Sequence, residues 1–180
     1  MDRNQLLEEL RVYRGYDDGE QSFVDRFIRL LRHPDAFLRT HLPGHITGSA
    51  WITNEVGTEV LLTHHAKLDK WLQPGGHADG DENVIRVAAK EAEEETGLTE
   101  IVLADDHIFD LDIHVIPERG DMPEHYHYDV RYLFRASKTL PLVVTAESHA
   151  LSWVKLDDID RMSNHNTSML RMARKMARLF

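Results

Sequence analysis

Glu91, Glu94 and Glu95 stand at i, i+3 and i+4 of a segment that reads as a helix, so their carboxylates leave one side of its last turn. Like charges at that spacing cost about 0.2–0.5 kcal/mol each, and the negative end of the helix dipole adds to the cost. Residues 79–95 hold seven acids (Asp79, Asp81, Glu82, Glu91, Glu93, Glu94, Glu95) against two bases, Arg86 and Lys90. Acids at the front of the helix are ordinary, because capping and the dipole favour them there. The cluster at the back needs another reason. Val84, Ile85, Ala88 and Ala92 form the apolar stripe, and Glu91 and Glu95 continue Val84 and Ala88 along it. The carboxylates therefore border the buried seam. Clustered oxygen donors in that position suit a hard cation, Mg²⁺ or Mn²⁺, whose remaining ligands are typically waters and substrate phosphates. The chemistry implied is metal-dependent and acts on phosphate.

The rest of the composition narrows the field. The chain has 180 residues, 42% hydrophobic and 29% charged, the profile of one globular domain. It has no cysteine, which excludes a disulfide framework, a thiolate zinc site and a cysteine nucleophile. A net charge of −10 argues against holding nucleic acid by phosphate neutralisation. No apolar run is long enough to span a membrane, and the acidic first residues do not read as a signal peptide. The expectation is a cytoplasmic protein with a small-molecule partner.

These residues need elements to position them. Residues 1–42 read as an N-terminal helical extension, with Leu6, Leu7 and Leu10 on one helix and Phe23, Phe27, Leu30 and Leu31 on a second that Pro34 ends. That pair reads as packed on the main domain, with a homodimer contact or an active-site lid as alternatives. Residues 43–180 read as the main domain. Strands are expected over 46–53 and 58–63 around a turn at 54–57, then over 101–103, 107–115, 126–136 and 147–155. The clearest helix is 83–96, with Gly97 as its natural stop. A basic amphipathic helix over 166–180 closes the chain, its cations Arg171, Arg174, Lys175 and Arg178 complementing its own C-terminal dipole. Strands interleaved with helices give an α/β class, a mixed β-sheet with helices on its faces.

Two further groups could carry chemistry. In 125–132 the residues His125, His127, Asp129 and Arg131 alternate with Tyr126, Tyr128, Val130 and Tyr132, the polar and core sides of one strand. The polar side could hold phosphate or ribose through its imidazoles and Arg131, form a separate His-x-His-x-Asp metal site, or simply face water. His64, His65, Lys67 and Lys70 precede a glycine-rich loop, where Lys70 could meet a distal phosphate or stand in solvent. Trp51, Trp71 and Trp153 read as packing residues.

The segment Gly76, five residues, Glu82, seven residues, then Lys90-Glu91-Ala92-Glu93-Glu94-Glu95-Thr96-Gly97-Leu98 resembles the signature of the Nudix hydrolases. Every spacing is kept over its 23 residues, and the approach from Trp71 to His77 is also typical of the family. Two positions depart: Lys90 replaces the usual Arg, and Ala92 is smaller than the usual Leu, Ile or Val. The resemblance implies a Nudix-type α/β/α sandwich and hydrolysis of a diphosphate bond in a nucleoside diphosphate linked to another moiety, such as a nucleotide sugar. A nucleoside triphosphate pyrophosphohydrolase and a non-catalytic Nudix ligand sensor are the alternatives. It further implies that Glu91, Glu94, Glu95 and the Gly76 carbonyl bind the metal, and that Glu82 holds loop and helix together. Lys90 would orient the glutamates without the bidentate fork of an arginine. Glu147, before the last strand, is the candidate for a further ligand or the general base.

Overall fold

The computed structural model describes residues 1–179; Phe180, the end of the last expected helix, lies outside the described residues. Two helices open the chain, α1 (Arg3–Val12) and α2 (Asp18–Leu30). Asp2 and Asp17 cap them by accepting backbone amides of the first turn. Strands β1 (Gly44–Thr53), β2 (Glu59–His65), β3 (Lys70–Leu72) and β4 (Gly75–His77) follow, then α3 (Val84–Thr96). After it come β5 (Val102–Leu103), β6 (Asp110–Ile116), β7 (His125–Arg135) and β8 (Ser148–Lys155). A 3₁₀ turn, the short α4 (Ile159–Met162) and α5 (Thr167–Met176) end it.

The eight strands make one mixed sheet. Its centre is a parallel pair, β1 and β7, in register from Gly44↔Tyr126 to Thr53↔Arg135. β4 pairs with the middle of β1 (Thr47↔His77, Gly48↔Gly76, Ser49↔Gly75), whereas β2 meets its far end at Thr53↔Val60. β2 then turns away to pair with β3 and β8, and β6 lies on the outer side of β7.

Side-chain alternation divides the sheet into two faces. Ile46, Ala50 and Ile52 of β1 and Val130, Tyr132 and Phe134 of β7 share one core with Val84, Val87, Ala88 and Ala92 of α3. Helices α1 and α2 belong to that same core through Leu6, Leu10, Val24, Phe27 and Leu31, and Phe27 packs edge-on to Tyr128 at 5.3 Å. On the other face Trp51, Val60, Leu62, Leu133 and Val154 pack against Met169, Met172, Ala173 and Met176 of α5.

The basic helix at the end behaves differently from its sequence expectation. Arg171 donates to Asp110 at 2.9 and 2.8 Å and to the Leu111 carbonyl at 2.7 Å. Lys175 donates to Asp110 at 2.7 Å and to the fully buried Glu20 of α2. Two of the four cations thus serve buried carboxylates rather than their own helix terminus, because β6 presents Asp110 to the face that α5 covers.

Candidate active site

Helix α3 begins at Asn83, whose side chain accepts the Arg86 amide at 3.1 Å, and stops at Gly97, which takes the left-handed conformation (φ 75°) that a glycine adopts without strain. Between these ends the three glutamates leave the helix in graded environments. Glu95 is 5% exposed, Glu91 is half-buried and Glu94 is exposed.

Strand β4 meets that side of the helix with backbone. The Gly75 amide donates to Glu95 Oε1 at 2.9 Å. A Cβ on Gly76 would lie 2.4 Å from Glu91 Oε2, so the glutamate rests directly on the glycine. No residue with a side chain fits there while Glu91 keeps its place. Burial raises the Glu95 carboxyl to about 7, with the Gly75 amide opposing and the charges of Glu91 and Glu147 adding. Burial also raises Glu91; Lys90 opposes the rise, and Glu94 and Glu147 reinforce it.

Glu147 belongs to this cluster electrostatically, since its charge acts on both Glu91 and Glu95. The loop that carries it is fixed by its carbonyl, which accepts the Ala66 amide at 2.8 Å, and the ladder of β2 and β8 begins beside it at His65↔Ser148. Lys90 reaches Glu94 at 3.1 Å as a single exposed contact. Glu82 faces the N-terminal extension and pairs with Arg3 of α1. Lys70 is exposed on β3, opposite His65, at the end of the sheet that also holds Glu147.

The polar side of β7 faces away from α3. Asp129 accepts the hydroxyls of Thr47 and Ser49 at 3.0 and 2.8 Å. Arg131 is 3% exposed, and each guanidinium nitrogen is engaged: Nε with Asp129 at 2.7 Å, and the other two with Asp110 at 3.0 Å and Asp112 at 3.2 Å. Burial alone would lower the Arg131 pKa, but the three carboxylates win and hold it above the ordinary arginine value. The expectation that Arg131 and Asp129 reach out to substrate is corrected by this closed network. β6 supplies two of the three carboxylates, Asp110 and Asp112, and nothing in the strand's own alternation announces those two. His127 remains half-buried with its Nε2 unpaired. Sequence reasoning passed over His45 and His77, which point to the same face as His127; the β1–β7 register that sets His45 opposite His127 is a long-range fact.

Comparison with known proteins places this geometry. The NUDIX domain model matches residues 44–176. The chain belongs to the Nudix family, and it is a hydrolase of pyrophosphate bonds in nucleotide-like substrates. Enzymes of this family generally work with divalent metals. Among solved structures it is similar to a MutT protein from Methanosarcina mazei Go1, with 26% identity, a TM-score of 0.59, and coverage of 76% of this chain and 95% of that one. It shares its fold with a C. elegans Ap4A hydrolase in a binary complex, at 19% identity and TM-score 0.60 over 74% of this chain and 96% of that one. The NUDIX domain of Shewanella oneidensis NrtR, solved with ADP ribose, matches at 19% identity and TM-score 0.52 over 89% and 99% of the two chains. No curated protein matches the chain in sequence. Among the described residues no helix is long and apolar enough to cross a membrane.

Proposed function

We propose that the chain hydrolyses the diphosphate linkage of a nucleoside diphosphate joined to another moiety, of which a nucleotide sugar is the example, with Mg²⁺ or Mn²⁺ as cofactor. One observation carries this reading. Glu95 is a buried carboxylate whose ionised form is disfavoured first by burial and then by the charges of Glu91 and Glu147. Such a donor set fits a hard divalent cation. Glu91, Glu94, Glu95 and the Gly76 carbonyl would hold it. The ion supplies a lowered water pKa and charge neutralisation at the phosphate oxygens.

The chain's own groups divide the remaining work. Glu147, whose charge acts on Glu91 and Glu95 from outside the helix, is proposed to take the proton of the attacking water. Lys90 holds Glu94 by one contact, and Glu82 anchors the start of the loop-and-helix unit to α1. Lys70, exposed on β3, is the cation proposed to meet the far phosphate of the substrate.

The test is a screen of nucleotide sugars, dinucleotides and nucleoside triphosphates with Mg²⁺ or Mn²⁺, products being identified by mass. Cleavage within the diphosphate of a nucleotide sugar is expected, and Glu94→Gln should abolish it while the circular dichroism spectrum is kept. Turnover confined to triphosphates, or unchanged in Glu94→Gln, would overturn the reading.

A further inference from the structure

Beside the glutamate site the sheet carries a second group of donors. The register of the central strands sets His45 of β1 opposite His127 of β7, and His77 on β4 pairs with Thr47, the next residue of β1 on that side. The three rings lie 4.9 to 5.2 Å apart, centroid to centroid, and one nitrogen from each comes within 4.8 Å of the other two. We propose that His45, His77 and His127 form a binding site for a divalent transition-metal ion of the zinc class, separate from the glutamate centre.

The two sites lie on opposite faces of β4. Gly76 turns its Cα hydrogens toward Glu91, so its neighbour His77 must point through the other face. That face is the one on which Thr47, Ser49 and Asp129 meet. A metal at the histidines is therefore not a second ion of the carboxylate cluster.

The donors are prepared for ligation. His45 is 1% exposed, and its Nε2 has no hydrogen-bond partner; His127 Nε2 is likewise buried and unpaired. Leaving a buried polar atom unsatisfied is unfavourable, a cost that an occupying cation would remove. His45 Nδ1 lies 3.3 Å from the His41 carbonyl. An N–H donated there leaves the lone pair on Nε2, the arrangement in which metal-bound imidazoles are held. Burial keeps both His45 and His127 in the neutral form that ligates. Three imidazoles with no thiolate and no carboxylate favour zinc, cobalt or nickel over magnesium. In a tetrahedral zinc site with bonds of about 2.0–2.1 Å three protein ligands leave one position open, for water or an anionic ligand.

The experiment uses the untagged full chain, stripped with a chelator and dialysed against Zn²⁺ in excess Mg²⁺, with bound metal measured by elemental analysis and Co²⁺ absorption as the spectroscopic probe. One zinc per chain is expected, together with the visible bands of cobalt at low coordination number. The Glu95→Gln variant should retain both. His127→Gln and His45→Phe should each lower zinc affinity at least about tenfold. No retained zinc, wild-type affinity in both histidine variants, or loss of zinc in Glu95→Gln would each overturn the proposal. If a histidine variant fails to fold, histidine-selective NMR of the unsubstituted protein decides. Zinc must move the ring signals of His45, His77 and His127, and shifts confined to other histidines would overturn it.

Discussion

Arg3, in the first turn of α1, donates its Nε–H to Glu82 Oε1 at 2.9 Å, and its backbone amide lies 3.2 Å from Glu82 Oε2. The same guanidinium reaches the carbonyls of His33 and Pro34 beyond α2 at 2.9 and 2.6 Å. One side chain thus ties both N-terminal helices to the entrance of α3, and the glutamate that the family motif assigns to loop structure is held from outside the motif.

Arg3→Ala and Glu82→Gln should each destabilise the protein, and the double variant should cost less than the two combined. Because the pair is partly exposed, a coupling of about 1 kcal/mol is expected. Denaturant melts of the four proteins measure it. Strict additivity would show that the contact carries no energy.

Gly76→Ala places a methyl where the Glu91 carboxylate now rests. Global stability should change little, because the glutamate can swing toward solvent, but it then leaves the carboxylate cluster proposed to hold the metal. The expected result is a fall in kcat of at least about tenfold, equivalent to about 1.4 kcal/mol of barrier, with a raised Mg²⁺ requirement. Steady-state kinetics over a magnesium series checks both.

Glu95 gives the metal-free protein a particular pH dependence. Its folded pKa, about 7, stands above the 4.5 of an ordinary glutamate, so the folded state holds a proton that the unfolded state releases. Stability should therefore decline as pH rises from about 4.5 to 7 and level off above, by an amount on the order of 3 kcal/mol. Glu95→Gln should flatten most of this slope, leaving the part that the raised Glu91 carboxyl contributes, and Mg²⁺ should offset it at pH 8. Thermal melts in chelator across that range read the effect. A profile in Glu95→Gln identical to wild type would contradict it.

Arg131→Met deprives the buried Asp110 and Asp129 and the half-buried Asp112 of the partner all three share. Removing one member of a buried ion network costs about 3–5 kcal/mol. A large loss of stability is expected, with KM nearly unchanged at temperatures where the variant stays folded. A raised KM with intact stability would restore Arg131 as a substrate contact.

What could be read in advance follows the range of the interactions involved. The acidic turn of α3 and the alternation of β7 are local patterns, so the helix, the strand and the motif glutamates stand where periodicity and resemblance put them. Arg131 looked available because its strand alone was in view, whereas its carboxylate partners Asp110 and Asp112 come from β6 and the roof from α5. The inward turn of Arg171 and Lys175 and the pairing of Arg3 with Glu82 were hidden for the same reason: each joins segments 60 or more residues apart. A sequence pattern states which residues are polar, and the tertiary register decides which of them find one another.

Strand β4 is three residues long, yet its amide at Gly75 bonds Glu95, its Gly76 cushions Glu91, and its His77 looks out on the reverse side. Pairing with Ser49, Gly48 and Thr47 of β1 fixes all three residues at one seam, so a displacement of that seam is felt in both compartments at once.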